Sequence, residues 1–140
     1  MVITTRDRVH AGFMVFTTLA TLAYWLVYFM SGATMVRTDN VYTSFENAFP
    51  LADAWMAVGY LLAASFLLKG DRRAVLWGIC AGSAMIFLGA IDILFNIEQG
   101  LFTHGSAEMA AEIAINIYCW TFGPFTIWRM WKHPLLHIKG

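Results

Sequence analysis

Charge is what this sequence has least of. Asp, Glu, Lys and Arg together make 13% of 140 residues, against roughly 25% in a soluble domain. Nine basic and nine acidic residues cancel to a formal net charge of zero. No basic stripe or glycine-rich phosphate loop occurs, which excludes nucleic acid as a partner class. Only two cysteines are present, Cys80 and Cys119, and they form no CxxC pair. A redox dithiol is thereby excluded, and both read as small packing residues. His133 and His137 have i,i+4 spacing, but Pro134 between them breaks the helix and no third ligand is near. A solvated tail is expected there and no metal site. No internal repeat, low-complexity tract or linker divides the chain. Residues 1–140 read as a single integral-membrane domain.

What is present is apolar, at 59% of all residues. Four runs are long enough for the about 20 helical residues that cross a bilayer. They cover approximately 11–30, 49–68, 74–97 and 109–131. Helix is the only assignment that satisfies backbone polar groups in lipid, because the ten-residue alternation of a barrel strand is absent. The expected fold is therefore an all-α membrane protein, four transmembrane helices in a compact bundle. Gly70 and Gly100 read as stop signals, and Asn47 and Ser106 as N-caps. Pro50 falls in a first turn, where its missing N–H costs little. Pro124 lies inside the fourth helix and is expected to bend it, freeing the Trp120 carbonyl. The first run exceeds the usual h-region of a signal peptide, so it reads as a retained helix although Arg6 and Arg8 precede it.

Eight of the nine basic residues fall on one side of these spans: Arg6, Arg8, Lys69, Arg72, Arg73, Arg129, Lys132 and Lys139. Arg37 alone falls on the other, with Asp39, Glu46, Glu98 and Glu108. The positive-inside rule then places both termini in the cytoplasm of a multi-pass cell-membrane protein. Trp77, Trp128 and Trp131 read as anchors at the inner interface and Trp55 at the outer one. Trp120 fits either a cavity wall or a lipid-facing position.

The stretch FLGAIDILFNIEQG carries Asp92 and Asn96 one helical turn apart in an oily run. Residues three and four apart share a helix face, and each span has one such face of polar or small residues. The third carries Gly78, Gly82, Gly89, Asp92 and Asn96, with Gly78-x-x-x-Gly82 a close-packing motif. The second carries Asp53, Ala57, Tyr60 and Ala64, with Glu46 one turn beyond. The fourth carries Glu112, Asn116, Cys119 and Gly123, and the first Thr17, Thr21, Tyr24 and Tyr28. In alternating helices these polar groups come to one level, in the outer half. The candidate ligand-binding set is Asp53, Asp92, Asn96, Glu112, Asn116, Glu46, Tyr24 and Tyr28.

No Lys or Arg lies in the central part of a span to pair with Asp53, Asp92 or Glu112. A charge at mid-bilayer costs about 2.5–3.5 kcal/mol on insertion scales. Either some of these groups are protonated, or a cation from outside the chain neutralises them. The structural reading of Asp53 and Glu112 is that each complements a helix N-terminus. That reading does not fit Asp92, near a C-terminus, and the Asn and Tyr residues alone could serve as interhelical glue.

Binding or transport of a cation, a proton or a cationic amphiphile is the leading expectation, with oxygen donors suited to hard cations such as Na⁺ or Ca²⁺. The alternative is an intramembrane enzyme using carboxylate acid–base chemistry on a lipid or isoprenoid, although no nucleophile–base pair or metal motif is visible. A third reading is an accessory subunit docked on another membrane protein or on a second copy. No cofactor is specified by the sequence.

Overall fold

The computed structural model describes residues 3–103 and 105–137; Lys139, counted above with the basic C-terminal flank, lies outside them. The described chain is helical throughout, in the order α1 (Thr5–Ser31), α2 (Asn40–Glu46), α3 (Phe49–Leu68), α4 (Arg73–Glu98) and α5 (Ala107–Trp131), with 3-10 turns at Leu101–Thr103 and Pro134–His137. Local signals set most of the limits. Thr4 and Asp7 form a reciprocal capping box that starts α1 a turn and a half before the apolar run does. Ser106 caps α5 by accepting from the Met109 N–H. Gly70 and Gly100 take the left-handed conformation just past α3 and α4, as expected for stop signals.

Two assignments change. Asn47 does not cap α3, whose N-cap is Ala48; it is the C-cap of α2. The helix α2 was not expected at all. Asp39 initiates it by accepting from the N–H groups of Val41 and Tyr42, so residues 40–46 are about two helical turns rather than loop.

The four long helices pack in the order α1, α3, α4, α5, each on its neighbour. Small residues let the backbones approach, as membrane helix pairs require. A Cβ on Gly59 of α3 would stand 3.1 Å from Ala81 Cβ of α4. Between α4 and α5 the approach is closer: a Cβ on Gly82 would stand 2.8 Å from the Gly123 carbonyl oxygen, and one on Gly123 3.0 Å from that of Gly82. α5 runs through Pro124 without interruption.

α1 and α5 close the ring differently, by long side chains. Thr17 Oγ1 lies 2.8 Å from Tyr118 Oη, His10 Nε2 lies 3.1 Å from Thr126 Oγ1, and Arg129 pairs with buried Asp7 at 2.7 Å. His133 Nε2 also reaches Asp7, at 3.2 Å. His133 is therefore buried against the bundle rather than part of a solvated tail, because the 134–137 turn folds the chain back; His137 is exposed. All these bridges sit toward the end of the bundle that holds the first residues of α1, the last residues of α5 and the 69–72 turn. The other end, with residues 32–48 and 99–106, is called the loop end below.

The surface is oily and the interior partly polar. Leu19, Phe29, Leu51, Leu76, Phe87 and Ile117 are exposed, whereas His10, Asn96, Glu112, Asn116 and Thr126 are buried. That inverts the usual soluble pattern. Three stretches, Thr5–Ser31, Asn40–Leu68 and Arg73–Glu98, are long and apolar enough to cross a bilayer. α5 has the length, at 25 residues, but Glu112, Asn116, Thr126 and Arg129 dilute its apolar run. The tryptophans also need revision. The rings of Trp55 and Trp77 lie 6.0 Å apart, so the two cannot anchor at opposite interfaces about 30 Å apart. Trp120, left open above, is half exposed on the outside of the bundle.

Candidate functional site

The polar faces of all four long helices converge toward the loop end, around a cavity of about 550 Å³. Its walls are largely apolar, with Phe49, Met56, Met85 and Leu88 among them. Glu46, Asp53, Asp92 and Glu112 all line it, together with Asn116 and Tyr24. Six of the eight sequence-derived candidates thus meet in one space. The other two do not line it. Asn96 is completely buried and stands behind the carboxylates, donating from Nδ2 to Glu112 at 3.1 Å and to Asp92 at 3.3 Å. Tyr28 instead donates to the Asn47 side chain at 3.3 Å, tying α1 to the α2–α3 junction.

The network gives each carboxylate a different setting. Asp92 also accepts from Asn116 Nδ2, across the α4–α5 seam. Glu112 accepts from the Tyr42 hydroxyl at 2.7 Å, and that hydroxyl accepts from the Val36 N–H at 3.2 Å. Asp53 accepts from Trp25 Nε1 at 2.8 Å. Glu46, on α2, is only 5% exposed. Tyr42, on the same short helix, directs its single hydroxyl proton to Glu112. The buried Thr34 hydroxyl at the cavity wall is unpartnered, as is Asn96 Oδ1.

No basic side chain among the described residues pairs with any of these four carboxylates. Arg37, the one Arg or Lys near this end, is committed to Asp39 at 2.6 Å. Asp39 lies outside the stretches apolar enough to span a membrane, and its carboxyl is held below the ordinary range by the Tyr42 N–H and by Arg37. Helix dipoles do not account for the cluster either. α3 begins at Phe49 and α5 at Ala107, so Asp53 and Glu112 lie past the first turn, where the dipole effect has faded. α4 ends at Glu98, which puts Asp92 more than a turn from the C-terminus; the penalty expected there is correspondingly small.

Three contributors were not among the sequence candidates: Tyr42, Trp25 and Thr34. Tyr42 was hidden because α2 was read as loop. The signal was available in Asp39 followed by Val41, Tyr42 and Phe45, a capped turn with aromatic residues three apart. Phe45 fixes that turn by stacking on Phe95 of α4, ring centres 3.7 Å apart and nearly parallel. Trp25 looked like one more apolar residue of a span, and nothing in sequence spacing joins it to Asp53. Among the described residues no cluster of His, Cys, Asp and Glu has the geometry to hold a metal ion. No known family, curated protein or solved structure matches this chain.

Proposed function

We propose that the chain is a four-span membrane protein, with both termini cytoplasmic, that binds or carries an organic cation in the cavity at its outer end. One observation carries this reading: four carboxylates without a basic partner line a single, mostly apolar space. Burying several like charges together is costly unless something positive joins them. A proton on some of them relieves the repulsion, and a cation of the right size relieves it while filling the space. The volume falls within the range of small-molecule pockets, and apolar walls with a few polar groups are their usual make-up. A bare Na⁺ would leave most of such a volume empty, so an alkylammonium or aryl-ammonium ligand is the better match.

The fourth span follows from the way α5 is sided. Its polar residues Glu112, Asn116 and Thr126 are buried, while Ile113, Ile117, Trp120 and Trp128 face outward. Its outer surface suits lipid even though its mean composition is less apolar. The orientation rests on the eight-to-one distribution of Lys and Arg.

The test is a thermal-shift series on the purified protein with Na⁺, Ca²⁺, alkylammonium ions of increasing size, and uncharged alcohols of the same chain length. Alkylammonium ions should raise the melting temperature by several degrees, and the alcohols should not. Glu46→Gln should remove most of the shift, because it takes one of the four negative charges from the cavity wall while keeping the side chain's shape. Equal shifts from amine and alcohol, or an undiminished shift in Glu46→Gln, would refute the reading.

A further inference from the structure

The cavity has a side. Of the residues that line it, Phe16, Ala20, Ala23 and Val27 on α1 and Ala114 and Ile115 on α5 are also exposed on the outside of the bundle. Every one of them is apolar. They flank the one gap in the helix ring, since α1 and α5 are bridged by side chains only from Thr17–Tyr118 toward the termini. Beyond that last bridge the seam stays open along the cavity. A smaller recess of about 210 Å³ continues it toward the loop end, sharing Tyr24, Thr34, Glu112 and Ile115 and adding Ala107 and Glu108. Two ways in therefore exist, a long apolar slit and a short polar rim.

The slit is the larger, and its chemistry is that of a hydrocarbon tail. On the reading that the cavity takes an organic cation, we infer that the ligand is a single-tailed, membrane-borne amine that enters sideways between α1 and α5. Its ammonium group sits among Glu46, Asp53, Asp92 and Glu112, and its tail leaves through the slit past Ala20 and Ala114 into lipid. Glu46, only 5% exposed and lining the cavity, is a group that the ammonium meets. The second observation is the apolar character of the slit's exposed edge: a wholly water-borne ion gains nothing from six apolar residues at its doorway, whereas an alkyl chain keeps apolar contact from lipid to cavity.

The experiment uses the full chain in lipid nanodiscs, with ethylammonium and dodecylammonium as probes and dodecylammonium affinity expressed per mole of lipid. Ala20→Trp and Ala114→Trp obstruct the slit at exposed positions, and Ala107→Trp obstructs the rim. The slit variants should lose at least tenfold in dodecylammonium affinity while ethylammonium affinity stays within twofold, which also shows that they are folded. Ala107→Trp should leave the long amine unaffected. Undiminished dodecylammonium binding in the slit variants, equal losses for both amines, or a loss confined to Ala107→Trp would overturn the lateral route. The two proposals fail separately. If neither amine binds in a way that depends on Glu46, the cation-binding reading falls; if both do and the slit variants bind normally, only the route falls.

Discussion

Asn96 is the residue on which the polar cluster turns. Its amide nitrogen is shared between Asp92 and Glu112, on different helices, and its own oxygen has no partner. Two N–H groups can satisfy two carboxylate oxygens, but they cannot neutralise two charges. Asp92 already holds two amide donors, from Asn96 and Asn116, so an Asn in its place retains an acceptor for both while removing one negative charge. Asp92→Asn should therefore raise the melting temperature of the ligand-free protein by a few degrees, about 1 kcal/mol in a chain of this size. The same change should weaken alkylammonium binding at least tenfold. Thermal unfolding and titration of the same preparations measure both. A variant that is less stable yet binds amines normally would make Asp92 a structural acceptor and nothing more.

Among the elements, the α4–α5 pair is the least tolerant of change. Gly82 and Gly123 face each other so closely that a single methyl on either meets the partner's backbone oxygen, and backbone cannot swing aside as a side chain can. Gly82→Ala should cost about 1–3 kcal/mol through overpacking. Gly12, where an added Cβ meets nothing, provides the control: Gly12→Ala should be neutral or slightly stabilising, since Ala is the better helix former. Comparable losses at both positions in detergent unfolding would mean that helix propensity, not the seam, is being measured. The seam matters to the site because it sets the distance between Asp92 and Asn116. By contrast, α2 is short and is held by Asp39, by the Phe45–Phe95 stack and by the Tyr42–Glu112 bond. It carries Glu46 to the cavity wall.

For the whole molecule, the distribution of Lys and Arg predicts which way it sits. In a background with Cys80→Ala and Cys119→Ala, Thr38→Cys and Arg72→Cys place single thiols at opposite ends of the bundle, both on exposed residues. An impermeant maleimide should label only position 38 in intact cells and should reach position 72 after permeabilisation. Labelling of position 72 alone would invert the orientation and with it the side from which the cavity is served. Labelling of both in intact cells would mean that the bundle does not span at all.

Much of this architecture is local in origin. Helix α3 begins and ends where its apolar run does, and α1, α4 and α5 differ from theirs by a few residues, because spans, caps and left-handed glycines are properties of neighbours in the chain. The polar stripes were legible for the same reason: a period of 3.6 residues puts Asp92 with Asn96, and Glu112 with Asn116, whatever the helix packs against. Helix α2 was missed because seven residues carry too little periodicity to outweigh a reading as loop. What no local pattern contains is the closure of the ring. Trp25 meeting Asp53, His133 folding back on Asp7, and Trp55 beside Trp77 all depend on which helix neighbours which. The slit between α1 and α5 is of the same kind. Gly82 and Gly123 draw α5 onto α4, while Tyr118, Phe122 and Phe125 stand between α5 and α1. The bulky residues hold α1 and α5 apart where they meet, and beyond them Ala20, Ala23 and Ala114 are too small to fill the gap.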